Sequence, residues 1–353
     1  SPALIKILLS RGVTPERMLD FVNGGVSLIR PSVEMPVVSE AVAKIREALA
    51  KGMAITIVGD YDVDGITASV LLYEVLMELG TKAEIIIPDR RRDGYGITVE
   101  IVERIANGSS DNSRLIITVD NGSNAREAIA RAFELGLEVI VTDHHEPAGT
   151  RVADVLALIN ARKPGCPYPF KDLAGVGVAF KFAEALVREC GYDVNPYRRR
   201  FIDLVAIGTV ADVVPLMDEN RILVKHGLEE IPRTGKRGIR ALLEQSGLAG
   251  RRLTSQNLAF VLGPRLNAAG RLADMSLGIE CLITDDMGRA LNIAQELDTL
   301  NRERRSIEAG MQEEAMTGLD AIDPGSRASL TLFEPEWHQG VIGILAGRIK
   351  EKF

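Results

Sequence analysis

The stretch Val58–Thr67 reads VGDYDVDGIT and begins at the end of an apolar run. It contains three aspartates at alternate positions: Asp60, Asp62 and Asp64. The run Ala54–Val58 is typical of a buried strand, and the residues after Gly65 are typical of a helix. The carboxylates are therefore predicted at the carboxyl end of a strand, where open α/β sheets bind ligands. If buried they need a cation such as Mg²⁺ or Mn²⁺, whereas an exposed acidic turn would need none.

The composition is that of a globular protein with ample core, at 46% hydrophobic and 26% charged residues. A length of 353 residues favours two lobes. No stretch has the length of a membrane span, and the first residues lack the cleavage pattern of a secretory signal. The three isolated cysteines argue against disulfides and against a zinc site. We therefore expect a cytoplasmic protein without a membrane partner.

The net charge of −7 comes from 42 basic and 49 acidic residues. Proteins that bind nucleic acid nonspecifically usually carry a basic excess. Its absence argues against a large duplex-binding surface. It does not exclude a nucleic-acid substrate, because a metal cluster and a local arginine patch can supply a positive field.

Strands and helices alternate after an opening segment that is predicted to be helical and peripheral. The predicted strands are Ala54–Val58, Ala83–Ile87, Leu115–Val119, Glu138–Val141 and Val155–Ile159. The predicted helices between and after them are Ile66–Leu79, Thr98–Ala106, Asn124–Leu135, Asp172–Cys190 and Phe201–Ala211. This alternation predicts an α/β fold with a parallel sheet flanked by helices.

Two further strands end in chemically active residues. Asp120 follows one strand, and Asp143-His144-His145 follows the next. Because the carboxyl ends of parallel strands share one edge, these residues and the first acidic cluster predict a two-metal site. A single histidine in a loop is more often a surface residue. Here the two adjacent imidazoles are expected to differ, one binding a metal and the other facing the substrate.

Asp212 closes an apolar helix and stands before Val213-Val214-Pro215. An acid at such a place is often an exposed helix terminus. The apolar residues on both sides instead predict a partly enclosed carboxylate, and hence a further metal ligand. Gly175-Val176-Gly177 follows no predicted strand and lacks a third glycine, so close helix packing explains it better than dinucleotide binding.

Taken together, these motifs resemble the DHH phosphoesterase superfamily and, within it, the RecJ family of bacterial single-strand-specific exonucleases. The superfamily motifs are GDYDVDG (59–65), TVDNG (118–122), TDHHEP (142–147) and GTVADVVPL (208–216). Two stretches resemble the RecJ family more narrowly, DLAGVGVAFK (172–181) and GPRLNAAGRL (263–272).

The resemblance implies that two divalent ions, Mn²⁺ or Mg²⁺, are bound. Their implied ligands are Asp62, Asp64, Asp120, His144 and Asp212. Asp120 would bridge the ions, Asp60 would lie beside them as a ligand or orienting group, and His145 would approach the scissile phosphate. Asp143 is counted with the catalytic residues because it can orient the imidazoles.

Several side chains are expected to bind substrate. Those implied by the resemblance are Arg265, Asn267, Arg271 and His338. Arg92, in the run Arg90–Arg92, is expected to contact phosphate, although such a run is more often a solvated surface. Tyr95 is expected to stack on a base. Trp337 and His338 have an equally simple alternative, which is packing of their own turn.

The chain is expected to divide into four parts. They are an N-terminal helical extension (1–52), a DHH catalytic domain (53–284), a connecting helix (285–318) and the beginning of a DHH-associated domain (319–353). A strand is predicted at Ala328–Phe333. Because the sequence stops just inside the last part, weak and distributive activity is expected of this chain alone.

The resemblance implies a 5′→3′ exonuclease that degrades single-stranded DNA to mononucleotides in DNA repair and recombination. Implied partners are single-stranded DNA, a single-strand-binding protein and a RecQ-type helicase, and the protein is expected to be a monomer in the bacterial cytoplasm. One alternative is a DHH phosphodiesterase acting on short oligoribonucleotides, cyclic dinucleotides or pyrophosphate. Another is a non-catalytic scaffold of the same superfamily, which the full set of acids and histidines disfavours.

Overall fold

The computed structural model describes residues 1–35, 37–90, 92–108, 113–148, 155–319 and 329–352. Its strands are β1 (Ala54–Gly59), β2 (Ala83–Ile86), β3 (Ser113–Val119), β4 (Glu138–Thr142) and β5 (Ala157–Ile159). The helices up to the middle of the chain are α1 (Pro2–Ser10), α2 (Met18–Asn23), α3 (Val38–Ala50), α4 (Val63–Glu78), α5 (Val99–Gly108), α6 (Arg126–Glu134) and α7 (Gly175–Glu189). Those that follow are α8 (Val194–Ala211), α9 (Asp218–Glu230), α10 (Arg237–Gln245), α11 (Ser255–Asn257), α12 (Gly263–Leu272), α13 (Ser276–Ile283), α14 (Met287–Leu319) and α15 (Ile342–Lys352).

The five strands form one parallel sheet in the order β2-β1-β3-β4-β5. Four strands end at the same level, because their last residues are register partners: Gly59, Val119, Thr142 and Ile159. The polar residue that follows each of these strands therefore emerges at one edge of the sheet. The predicted α/β class and the five predicted strands are confirmed, with bounds that shift by one or two residues.

Side chains alternate between the two faces of the sheet, as the pleat requires. Ile117 of β3 belongs to the main core with α3, α4, α7 and α8, whereas its neighbour Ile116 packs with α5 and α6. The helix α4 is buried along most of its length between the sheet and the helices α7 and α8. The side chains that β1 and α4 carry to the edge of the sheet are thus held on a rigid base.

Two helices begin earlier than predicted, because an aspartate caps each of them. Asp62 is the N-cap of α4, and its carboxylate accepts a hydrogen bond from the Gly65 N–H at 3.0 Å. Asp64 therefore lies in the first turn of the helix and not in a loop before it. Asp193 caps α8 in the same way and starts that helix at Val194.

Two other expectations were wrong. The opening segment is not peripheral throughout, because α3 buries one face in the main core against α7. Residues 329–333 are not a strand, and Ala328 lies outside the described residues. In the described ranges every strand lies between positions 54 and 159, so this segment has no neighbouring strand. Leu330 and Leu332 instead pack in a small apolar cluster with α14 and α15.

The connecting helix predicted over 285–318 corresponds to α14, a continuous helix of 33 residues. None of the helices in the described ranges combines the length and hydrophobicity needed to cross a lipid bilayer.

Candidate metal centre

Acidic and imidazole side chains converge at the edge where the aligned strands end. They form three groups in which the potential ligand atoms all lie within 4.8 Å of one another. The groups are Asp120 with His144 and His145, Asp64 with His144 and Asp212, and Asp60 with Asp62 and Asp120. All five ligands that the resemblance implied belong to these groups, together with Asp60 and His145. Asp143 belongs to none of them.

Asp64 joins two elements that are distant in sequence. Its carboxylate is buried and accepts hydrogen bonds from the first two N–H groups of α7, those of Gly175 at 2.6 Å and Val176 at 2.9 Å. A helix N-terminus presents free N–H groups and favours negative charge. The carboxylate is therefore fixed in place, and its orientation depends on where α7 begins.

Two glycines allow helices to approach the acids closely. A Cβ at Gly175 would lie 2.5 Å from Asp120 Oδ1, and a Cβ at Gly208 would lie 2.9 Å from Asp64 Oδ1. Asp120 itself has a positive φ of 62°, a conformation that Asp tolerates better than most residues. The close packing predicted from Gly175-Val176-Gly177 is thus packing of a helix start against the acidic cluster.

Asp143 orients the turn that follows β4. Its two carboxylate oxygens accept hydrogen bonds from the N–H groups of Ser123, His144 and His145, and one of them lies 2.8 Å from His145 Nδ1. Burial alone would raise the pKa of Asp143, but the hydrogen bonds from His145 and the backbone lower it below its usual range. Asp143 therefore stays ionised, and its carboxylate holds the His145 ring in place.

The two histidines occupy different environments. His144 is buried, and its Nε2 lies 3.0 Å from Asp120 Oδ1, 3.6 Å from Asp212 Oδ2 and 3.9 Å from Asp64 Oδ2. The His145 side chain is 42% exposed and holds Asp143 through Nδ1. The hydrogen bond to Asp143 raises the pKa of His145. Its Nε2 lies 3.2 Å from the Tyr95 hydroxyl, at the wall of the cavity beside the cluster.

The acids of the cluster repel one another at these distances. Burial, reinforced by the neighbouring carboxylates, raises the pKa of Asp60 to about 8 and those of Asp64 and Asp212 to about 7. The pKa of Asp120 is raised for the same reasons. Positive charge at the centre of the groups would remove this repulsion.

The donor set fits divalent ions. Four buried atoms of the cluster find no hydrogen-bond partner among the described residues: Asp120 Oδ1, Asp212 Oδ2, and both ring nitrogens of His144. Buried polar atoms are normally paired, so unpaired atoms that face one another at 3 to 4 Å indicate a missing partner. Carboxylate oxygens with a single imidazole suit Mn²⁺ or Mg²⁺ better than softer metals.

A cavity of about 240 Å³ opens beside the cluster. Its lining consists of Asp60, Tyr61, Asp62, Arg90, Tyr95, His145, Asn267, Gly270 and Arg271. Arg90 lies over the ring of Tyr61, with 5.1 Å between its guanidinium carbon and the ring centroid. A second cavity of about 460 Å³ shares Asn267 and Arg271 with the first.

The predicted substrate-binding residues of the GPRLNAAGRL stretch divide into two kinds. Asn267 and Arg271 line both cavities, although Asn267 also accepts a hydrogen bond from the Val63 N–H and Arg271 donates one to the Gly340 carbonyl. Arg265 lines neither. Its guanidinium is paired with Asp298 of α14 at 2.8 Å and donates to a backbone carbonyl of the preceding turn.

The two described arginines of the run lie in different environments, and phosphate contact by Arg92 stays a prediction. Arg92 is largely exposed and forms an ion pair with Asp93, whereas Arg90 faces the cavity. Arg91 lies outside the described residues. His338 lines neither cavity, and its Nδ1 accepts a hydrogen bond from the Gly340 N–H. This contact fits the alternative in which His338 packs its own turn.

Tyr95 lines the cavity and contacts the metal centre through its hydroxyl. Its hydroxyl lies 3.2 Å from His145 Nε2 and donates to the Asp120 carbonyl at 3.3 Å. Its ring meets Tyr61 and His145 edge-on. The hydroxyl thus contacts the histidine, and stacking of the ring on a base stays a prediction.

Two buried asparagines also position the site. Asn121 donates to the Val58 and Val119 carbonyls and so joins the ends of β1 and β3. Asn160 donates to Ser123 Oγ and to the His145 carbonyl. The sequence pattern did not indicate these two roles. The position of Asn160 could have indicated its role, because Asn160 directly follows β5 as Asp120 follows β3 and Asp143 follows β4.

Comparison with known proteins agrees with this geometry. The model of the DHH family, N-terminal domain, matches residues 54–209. The single-stranded-DNA-specific exonuclease RecJ of Dickeya dadantii is 46% identical over 330 residues, covering 90% of this chain and 56% of the relative. RecJ of Escherichia coli is 42% identical over 369 residues, covering 100% of this chain and 62% of the relative.

A crystal structure of exonuclease RecJ bound to manganese is also similar. It is 36% identical, with a TM-score of 0.81, and the match covers 92% of this chain and 79% of that one. The chain belongs to the RecJ family. The resemblance stated from the motifs is therefore confirmed. The chain spans about half to two-thirds of the length of the curated RecJ relatives named above.

Proposed function

We propose that this chain is the catalytic part of a RecJ-type exonuclease. It hydrolyses single-stranded DNA from the 5′ end to mononucleotides with two divalent ions, Mn²⁺ or Mg²⁺, and serves DNA repair and recombination. The observation that most supports the proposal is the convergence of three ligand groups with unpaired buried atoms at one sheet edge. The substrate is taken from the names of the RecJ relatives.

Two of the ligand groups would each hold one ion. Asp64, His144 and Asp212 would hold the first, and Asp60, Asp62 and Asp120 the second. Asp120 belongs to the second of these groups and also lies beside His144 of the first in the third group. Asp120 would therefore be the ligand shared by the two ions. Two ions bound here would supply Lewis acidity that activates water and offsets negative charge on the phosphoryl group.

The side chains around the ions have separate tasks. Arg90 and Arg271 line the cavity and would bind phosphate oxygens, which a guanidinium can contact with two N–H groups. His145 donates its Nδ1 proton to Asp143, and its Nε2 would exchange the Tyr95 hydroxyl for a phosphate oxygen when substrate binds to the protonated ring. Asp143 raises the pKa of His145 and so favours that protonated form.

The second cavity favours a polymeric substrate over a small one. Besides the two shared residues, its lining includes Arg305, the exposed Phe260, and Arg304 and Arg348, which both pair with Glu308. Basic side chains beside an exposed aromatic are typical of single-strand binding. A strand whose scissile phosphate occupies the first cavity would extend into the second.

We also propose domain bounds, an oligomeric state, a compartment and partners for the protein. Residues 1–52 form a helical extension, 53–284 the catalytic domain, 285–318 the connecting helix and 319–353 the beginning of a DHH-associated domain. By family resemblance we propose a monomer in the bacterial cytoplasm, with a single-strand-binding protein and a RecQ-type helicase as partners.

A substrate panel tests the proposed activity. Single-stranded DNA labelled at either end, duplex DNA, a short oligoribonucleotide, a cyclic dinucleotide and pyrophosphate are incubated with Mn²⁺. Mononucleotides released first from the 5′ end of single strands are expected. Asp120→Ala should abolish this activity, and Asp285→Ala, which removes an exposed aspartate outside the three groups, should not. Turnover of the small compounds alone would refute the exonuclease.

A further inference from the structure

Asn220 joins two loops of the metal centre without being near a ligand in sequence. It is fully buried in α9, and its Nδ2 donates to the Asp172 carbonyl at 2.5 Å and to the Pro215 carbonyl at 3.1 Å. Its Oδ1 has no partner in the described parts of the chain. The side chain is therefore held by its two donated hydrogen bonds, whose acceptors lie in different loops.

Each of these loops carries part of one ligand group. Asp172 stands three residues before Gly175, whose N–H, with that of Val176, holds the Asp64 carboxylate. Pro215 stands three residues after Asp212, whose Oδ2 lies 3.6 Å from His144 Nε2. Asn220 thus sets the separation between the start of α7 and the Asp212 loop.

The helix that carries Asn220 has its own anchor. The neighbouring Glu219 is fully buried and pairs with Lys181 of α7 at 2.6 Å. Glu219 also accepts hydrogen bonds from the Tyr168 hydroxyl and the Arg30 N–H. This network fixes α9 against α7 independently of Asn220, so loss of the Asn220 amide should leave the fold in place.

We propose that Asn220 is a positioning residue for the Asp64–His144–Asp212 group. The inference rests on the proposed two-metal function. By tying the two loops together, Asn220 keeps Asp64 and Asp212 at the spacing that one ion requires. The acids of the other group, Asp60 and Asp62, follow β1 and do not depend on these loops.

The test is Mn²⁺ titration of the whole chain by isothermal titration calorimetry. Asn220→Ala should weaken binding of one ion about tenfold or more, as loss of residues that orient ligands usually does. Binding of the other ion should weaken less, because two of its three ligands, Asp60 and Asp62, follow β1, although its third ligand, Asp120, packs against the start of α7. Asn220→Asp, which keeps the shape and removes both donors, should do the same. At saturating Mn²⁺ the variants should show lower kcat on single-stranded DNA and an unchanged KM.

A matched control separates positioning from general loss of stability. Asn301 is equally buried, but it lies in α14 and accepts a hydrogen bond from Arg304. Asn301→Ala should lower the melting temperature and leave both Mn²⁺ affinities unchanged. The inference is overturned if both Asn220 variants bind two ions as the wild type does, if neither folds, or if Asn301→Ala weakens Mn²⁺ equally. Normal Mn²⁺ binding by a wild type that cleaves no DNA would overturn the proposed function alone.

Discussion

Replacing Gly175 by alanine should damage the metal centre more than the fold. The added Cβ would lie 2.5 Å from Asp120 Oδ1 and 2.7 Å from Asp120 Cγ. Ordinary contacts begin near 3.4 Å, so the helix start or the carboxylate must move by about 0.9 Å. Neither can move alone, because the Gly175 N–H is bound to Asp64. The displacement therefore reaches ligands of both proposed ions.

The expected magnitude follows from the crowding. Overpacking in a well-packed site costs about 1–3 kcal/mol, partly offset by up to about 1 kcal/mol from the better helix propensity of alanine. Mn²⁺ affinity should fall by about 10–100-fold, as it does when ligand orientation is disturbed. Calorimetric Mn²⁺ titration and urea unfolding in EDTA measure the two effects separately.

A control glycine exists in a helix away from the site. Gly310 lies exposed within α14, and a Cβ there would meet nothing within 4 Å. Gly310→Ala should therefore stabilise the chain by about 0.5–1 kcal/mol and leave Mn²⁺ binding unchanged. If Gly175→Ala bound Mn²⁺ as tightly as the wild type, the start of α7 would not be packed so closely against Asp120 that a methyl group displaces the ligands.

Three further predictions follow from the electrostatics and the backbone. Val213 has a φ of 63° and is 84% exposed. Val213→Gly should raise the free energy of unfolding by about 0.5–1 kcal/mol, because relief of about 1–2 kcal/mol of strain exceeds the entropy that glycine adds to the unfolded chain. A less stable variant in urea unfolding would contradict this. The cluster acids, with pKa values raised to about 7 and 8, hold protons in the metal-free chain near neutral pH. The metal-free chain should therefore lose stability as the pH rises from 5 to 8, because its folded state binds more protons than its unfolded state. Mn²⁺ binding should release protons and weaken as the pH falls; equal calorimetric heats in buffers of different ionisation enthalpy would refute this. Lys181→Met removes one of the two cations paired with the buried Glu219, the other being the Arg30 guanidinium at 3.2 Å, and should cost about 1–3 kcal/mol in urea unfolding. A cost below about 1 kcal/mol would mean that this pair is not the anchor of α9.

The sheet could be predicted from the sequence because each strand is marked by a pattern of neighbouring residues. A short apolar run followed by a polar residue marks a strand and its end, and parallel pairing then aligns the ends by the register of the ladder. Asp60, Asp120 and Asp143 follow register partners for this reason. The metal groups could be anticipated because each contributing motif lies next to a strand or helix end that the pattern already predicts.

The sequence pattern could not show which side chains pair with one another when they lie far apart along the chain. Arg265 and Arg271 occupy the same helix and the same motif, yet Arg265 is paired with Asp298 while Arg271 lines the cavity. Only the packing of α14 on α12 decides between them. Asn220 shows the same limit, because its acceptors lie 48 and 5 residues away in loops without a regular pattern.

The strand order affects how well the metal centre resists local unfolding. β1, β3 and β4, which lead into most of the ligands, are interior strands, whereas β2 and β5 form the edges. Fraying of a sheet starts at its edges, where each strand has one neighbour, and interior ladders open only in larger unfolding events. Backbone amides of β1 and β3 should therefore exchange hydrogen with solvent more slowly than those of β2. Most of the proposed metal ligands are therefore carried by the part of the sheet that opens last.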